Sequence, residues 1–193
     1  MAAQAALRMG AGLVTLAIPA SLNSIMEQKL TEVMTVPLPE TSGQTLSLAA
    51  EKAILDMAQD KSVIILGPGL STHPETQELV RKLLHALRLP IILDADGINA
   101  LAGHTGSLAQ VKTKMILTPH PGEMARLLGT TSQKVQSDRL GIAQTFAQRY
   151  NVWLVLKGAH TIIAEPQGSL YINPTGNQGM ATGGTGDVLA GMM

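Results

Sequence analysis

The residues best suited to chemistry lie late in the chain, in the run Gly179-Met180-Ala181-Thr182-Gly183-Gly184-Thr185-Gly186-Asp187, which leads into the apolar Val188-Leu189-Ala190-Gly191. Glycines let the backbone approach a ligand closely and adopt positive φ. A helix that begins near Gly186 turns its free N–H groups toward the loop and favours an anion, with phosphate the natural guest. Asp187 then falls in the first helical turn, beside that anion site. The plainer reading is that Asp187 only compensates the helix dipole and the glycines only make a turn. The adjoining Asn173-Pro174-Thr175-Gly176-Asn177 lengthens the polar stretch well beyond a simple connection, which favours a functional loop.

Further polar segments follow apolar runs elsewhere: Gly67-Pro68-Gly69-Leu70 after Leu66, Asp94-Ala95-Asp96-Gly97 after Leu93, Thr118-Pro119-His120-Pro121-Gly122-Glu123 after Leu117, and Lys157-Gly158 after Leu156. The runs themselves read as strands over Leu13–Ile18, Glu32–Val36, Val63–Leu66, Ile91–Leu93, Met115–Leu117 and Val152–Leu156, mostly continuous as in strands buried on both faces. Helical patterns alternate with them over Ala2–Met9, Leu22–Gln28, Leu46–Asp60, Glu75–Leu87, Gly122–Leu128 and Asp138–Tyr150, with Ser137 as a cap for the last. Thr161–Ala164 and Leu170–Ile172 flank Glu165-Pro166-Gln167-Gly168 and read as a hairpin. The pattern predicts one α/β domain over residues 1–193, a doubly wound, mostly parallel sheet with a late β-hairpin. Ligands of such sheets bind beyond the carboxyl ends of the strands, where these polar segments fall, so a shared site is expected there.

The bulk composition excludes several classes. At 193 residues, 45% apolar and 15% charged, the chain is the size of one domain and carries enough apolar material for a core. Its formal net charge of zero and 2% aromatics give no basic surface and no stacking platform for nucleic acid. No apolar run is long enough to span a membrane. The absence of cysteine removes thiolate chemistry and suits a reducing cytoplasm. Ala2–Met9 reads as a helix without a visible cap, and Val188–Met193 as a helix without a visible end. The expectation is therefore a fragment of a domain that extends past both.

The segment Asn173–Gly191 resembles the C-terminal signature of the NAD(P)H-hydrate dehydratases, of the ribokinase-like superfamily. The loop at Gly67, the Asp-Ala-Asp segment at Asp94, Pro119–Glu123 and Lys157-Gly158 with Thr161 match the same family in the same order. The resemblance covers almost the whole chain. It implies a nucleotide-dependent hydro-lyase that repairs hydrated NADH and NADPH, with ADP (or ATP) as co-substrate, Mg2+, and an epimerase as fused or separate partner. It also implies a cytoplasmic homo-oligomer.

By the same resemblance, Asp187 is the catalytic base and touches the substrate with Gly67, Gly69 and His120. Lys157, Gly158, Ala159, His160 and Thr161 line the nucleotide with Gly184, Thr185 and Gly186, and Glu123 reaches a metal through water. Plainer alternatives stand beside these roles. Bracketed by Pro119 and Pro121, His120 could be bonded only to backbone; Glu123 could be a dipole partner at a helix start; Lys157 could be a lysine snorkelling at a sheet edge. Of Asp94 and Asp96, one is expected to cap the following turn and the other to face the site or a cation. His73, His85, His104 and His160 show no metal-ligand spacing, and the ten methionines read as core fillers. The nearest rival is another ribokinase-like small-molecule kinase, of hydroxyethylthiazole or hydroxymethylpyrimidine type. A non-catalytic nucleotide-binding module is a second rival, but it would not need a carboxylate at position 187.

Overall fold

The structure is a computed structural model and describes residues 1–193. Helix α1 (Ala2–Arg8) is followed by strand β1 (Thr15–Pro19), helix α2 (Asn23–Lys29) and strand β2 (Met34–Leu38). Helix α3 (Glu51–Ala58) leads to β3 (Ile64–Leu66), α4 (Pro74–Ala86) to β4 (Ile91–Leu93), and the short α5 (Ala95–Asn99) to β5 (Met115–Leu117). Helices α6 (Pro121–Leu128), α7 (Ser132–Ser137) and α8 (Arg139–Tyr150) precede β6 (Trp153–Leu156). Strands β7 (Ile162–Ala164) and β8 (Leu170–Ile172) and helix α9 (Thr185–Met192) complete the chain.

Six strands form the main sheet in the order β3-β4-β5-β6-β7-β8. The first four are mutually parallel, and β7 and β8 return antiparallel as the expected hairpin. The turn Glu165–Gly168 closes through the Gly168 amide, which donates to the Glu165 carbonyl at 2.9 Å. Ile91, Ile92 and Leu93 are all buried, as expected of a strand covered on both faces. Helix α4 buries Thr76, Leu79, Val80, Leu83 and Leu84, the i, i+3, i+4, i+7, i+8 stripe of a core-facing helix. Helix α8 buries Ala143, Phe146 and Ala147.

The structure corrects several details of the pattern reading. Strands β1 and β2 pair only with each other, as a separate parallel pair, and an apolar cleft lined by Val14, Leu16, Ile54, Ile64 and Leu66 lies between them and β3. Apolar runs identify strands but not their partners. The helix expected over Leu46–Asp60 begins with a 3-10 turn at Leu48–Ala50 and becomes α-helical only from Glu51. Ser137 does not cap α8; it ends α7, and its hydroxyl donates to the Lys134 carbonyl. The cap is Asp138, whose carboxylate accepts from the Gly141 amide at 3.0 Å. Of the methionines only Met115 and Met124 are buried, while Met1, Met9, Met34, Met180, Met192 and Met193 are exposed.

The parallel register sets Leu66, Leu93, Leu117 and Leu154 side by side. The ladder continues one step past the strands, since Asp94 N–H donates to the Leu66 carbonyl, Thr118 N–H to Leu93 and Lys157 N–H to Pro119. The polar segments therefore lie along one rim. Two glycines let the first two meet. A Cβ on Gly67 (φ +137°) would lie 1.7 Å from the Asp94 carbonyl oxygen, and one on Gly97 would lie 2.6 Å from the Leu66 carbonyl oxygen. A Cβ on Gly191 would meet the Ala2 carbonyl at 2.1 Å, so α9 crosses α1 in close contact.

Gly67→Ala should therefore destabilise by at least about 3 kcal/mol, because backbone rather than a movable side chain blocks the methyl group. Gly69→Ala, at φ +74° with open space around it, should cost only roughly 1–2 kcal/mol of left-handed strain. Urea denaturation of the two variants measures the difference.

Candidate functional site

Asp94 ends β4 and is 1% exposed, a depth at which a carboxylate needs partners. It occupies the N-cap position of α5 without making a capping bond. Its Oδ1 instead accepts from the Thr118 hydroxyl at 2.7 Å and from Lys157 Nζ at 2.7 Å. Asp94 is thus the carboxylate that faces the rim. Asp96 ties the neighbouring loop together, accepting from the Ser71 amide at 2.9 Å and from Asn99 Nδ2 at 3.1 Å.

Lys157 does not snorkel outward. Its Nζ lies between Asp94 and Glu123, 3.8 Å from Glu123 Oε2. One ammonium thus serves two carboxylates, and it retains donor capacity toward a ligand. A Cβ built on Gly186 would lie 3.4 Å from that Nζ and 3.7 Å from Asp94 Oδ2, so the first turn of α9 rests directly on the pair.

Helix α6 begins on this rim. The Nδ1 of His120 accepts from the Gly122 and Glu123 amides at 3.0 and 3.2 Å, and Glu123 Oε2 accepts from the His120 amide at 2.7 Å. This reciprocal capping box satisfies donors that a helix start leaves orphaned. His120 therefore has the backbone role of its plainer reading, yet 48% of its side chain remains exposed. Glu123 is buried and committed to the cap, with Oε1 3.5 Å from His120 Nε2. No group of three or more His, Asp or Glu side chains is arranged to hold a metal ion directly.

Helix α9 starts at Gly184 (φ +91°), with no side-chain cap. The amides of Gly183, Gly184, Gly186 and Asp187 have no acceptor within the protein, and neither does the Asp187 carboxylate have a donor or cation. Asp187 is half-buried in that first turn. An unpartnered carboxylate in the same helical turn as unpartnered amides is an arrangement that can accept a proton while an anion is held beside it.

Gly67 owes its conformation to the Asp94 backbone, whereas Gly69 stands free. The segment Gly158–Thr161 forms the β6–β7 turn, with Gly158, Ala159 and His160 exposed. Sequence reading missed two members of the site: Thr118, which holds Asp94, and Arg139, which donates to the carbonyls of Ala159 and Leu156 at 2.6 and 3.2 Å. The one available signal for Arg139 is a cation at a helix start, where the dipole disfavours it.

Comparison with known proteins gives a consistent result. The family described as NAD(P)H-hydrate dehydratase matches residues 1–193. The chain is 51% identical over 193 residues to the bifunctional NAD(P)H-hydrate repair enzyme Nnr of Moorella thermoacetica, spanning 100% of itself and 36% of that protein. It is similar to the ADP/ATP-dependent NAD(P)H-hydrate dehydratase of Bacillus subtilis, co-crystallised with ATP/Mg2+, at 32% identity and TM-score 0.75, over 99% of this chain and 65% of that one. A ribokinase-like superfamily protein of Enterococcus faecalis superposes with TM-score 0.81 at 26% identity, over 99% of this chain and 63% of that one. The chain thus spans about a third of the curated relative and about two-thirds of the solved chains, and its fold is ribokinase-like.

The Lys157–Asp94 contact carries its own test. Lys157→Met should cost about 3 kcal/mol, because it strands a buried carboxylate. The double variant with Asp94→Asn should recover part of that loss, a coupling that a double-mutant cycle in urea measures.

Proposed function

The chain belongs to the NAD(P)H-hydrate dehydratase family, and we propose that it carries out the nucleotide-dependent dehydration of hydrated NADH and NADPH, a hydro-lyase reaction that returns the reduced cofactor. The observation that carries this reading is the free Asp187 carboxylate in the first turn of α9, beside amides without acceptors and one residue after Gly186, which packs against Lys157. The names of the Moorella and Bacillus relatives support the substrate and the nucleotide.

In the proposed reaction the added hydroxyl of the substrate attacks the terminal phosphoryl group of ADP or ATP. The hydroxyl proton passes to the Asp187 carboxylate, the bond from phosphorus to the nucleotide oxygen breaks, and AMP or ADP departs. The ring carbon–oxygen bond then breaks, phosphate leaves, and loss of a ring proton restores the double bond. The Gly184–Gly186 turn and Lys157 stabilise charge on the transferring group, where positioning and electrostatics supply most of the acceleration. His120, with its exposed ring, and Gly69 form the substrate side, and Gly67 shapes the loop between them. Lys157 to Thr161 form the nucleotide side.

Glu123 is committed to the capping box and Lys157 stands before Asp94. Of these groups only Glu123 would hold a magnesium ion, and only through water. When bound, that ion supplies charge neutralisation on the phosphates. No helix is long and apolar enough to cross a membrane, and a cysteine-free chain suits the cytoplasm as the place of reaction. The Moorella relative is named as bifunctional, which supports an epimerase as fused or separate partner.

Two measurements on the full-length protein test this reading. Incubation of hydrated NADH with ADP or ATP should restore the absorbance of the reduced nicotinamide; no recovery with either nucleotide would sink the proposal. Asp187→Asn should lower turnover by about 10²–10⁴ while nucleotide affinity is retained. Turnover that persists in the folded variant would make Asp187 structural.

A further inference from the structure

The turn between β6 and β7 has an unusual hydrogen-bond account. Gly158 (φ +141°) and His160 (φ +53°) both take left-handed backbone conformations, which turn peptide units away from the regular ladder. Three carbonyls here are committed to side-chain donors. The Leu156 carbonyl accepts from Arg139 Nη2 at 3.2 Å, the Ala159 carbonyl from Arg139 Nη1 at 2.6 Å, and the Gly158 carbonyl from the Thr161 hydroxyl at 3.1 Å. The amides are not committed: the N–H groups of Gly158, Ala159 and His160 have no acceptor within the protein. Three successive free amides, with the Gly158 and Ala159 carbonyls beside them taken by side-chain donors, form the kind of arrangement by which successive amides bind anions.

We propose that Arg139 is a positioning residue that keeps this turn in its donor-presenting form for the phosphates of the nucleotide. The inference rests on the reading of Lys157–Thr161 as the nucleotide side of the site. Arg139 is the first residue of α8, where a cation opposes the helix dipole. Its two carbonyl bonds offset that cost. Its guanidinium also lies close against Gly158, where a Cβ would come within 3.1 Å of Nη2. The planar fork bridges carbonyls three residues apart, which the single ammonium of lysine cannot do. Without the fork, the Ala159 carbonyl loses its partner and can rotate toward the phosphates it would repel, while the Leu156 carbonyl stays in the β6–β7 pairing.

The test is calorimetric titration of the full-length protein with ADP and with ATP plus magnesium, using wild type, Arg139→Gln and Arg139→Lys. Melting temperatures and steady-state kinetics with hydrated NADH accompany the titrations. Arg139→Gln should weaken nucleotide binding by about tenfold to a hundredfold, the loss expected for two charge-assisted bonds. The defect should appear in the nucleotide KM rather than in turnover at saturation or in the KM for hydrated NADH. Arg139→Lys, which keeps the charge and one carbonyl bond, should restore part of the affinity. Unchanged affinity in Arg139→Gln overturns the inference, as does a loss confined to turnover. If Arg139→Gln does not fold, Arg139→Lys decides, and affinity equal to wild type overturns the inference. A wild-type protein that binds neither nucleotide overturns the assignment of the turn itself, which distinguishes that failure from a failure of Arg139 alone.

Discussion

The buried contact between Lys157 and Asp94 is the interaction on which the site depends. Asp94 ends β4 and Lys157 follows β6, with β5 between them. Their 2.7 Å contact can form only if the three strands run parallel and end at the same level. Thr118, at the end of β5, completes the bridge by donating to the same carboxylate oxygen. Taking both charges out of water costs several kcal/mol per ion, so the pair adds little net stability. It does fix where the ammonium sits, and the first turn of α9 packs directly upon it.

Around this contact the rim is assembled by close backbone approaches. Gly67 and Gly97 allow the loops after β3 and β4 to touch, and Asp96 bonds the Ser71 amide so that the first loop is held from the second. On the other side, Glu123 both caps α6 and approaches Lys157, which couples the position of His120 to the same ammonium. The segments that looked independent along the chain thus form one network of hydrogen bonds and ion pairs.

The groups left without partners are as informative as those that have them. Polar groups in folded proteins find partners, and most of this rim obeys that rule. The amides at the start of α9, those of the β6–β7 turn and the Asp187 carboxylate do not. They are accessible to water, so they carry no large folding penalty, but they form a donor-rich surface with one proton acceptor in it. That asymmetry suits an anionic ligand.

Strand positions in the main sheet, the late hairpin and the succession of polar segments after the strands were legible in the sequence, because burial on both faces demands continuous apolar runs and those runs are local. The glycine-rich start of α9 was legible for a similar reason: its glycines and Asp187 are neighbours in the chain. Partnerships between distant residues were not. Nothing in the order of residues shows that Lys157 finds Asp94, 63 positions away, or that Arg139 reaches the carbonyls of the next turn. Nor does it show that β1 and β2 pair apart from the other strands. Each is settled by how the elements pack, since hydrogen bonds and ion pairs between remote residues follow from register and crossing geometry that local pattern does not encode. Residue types and their local order show which residues could do chemistry, and packing settles which of them share a contact.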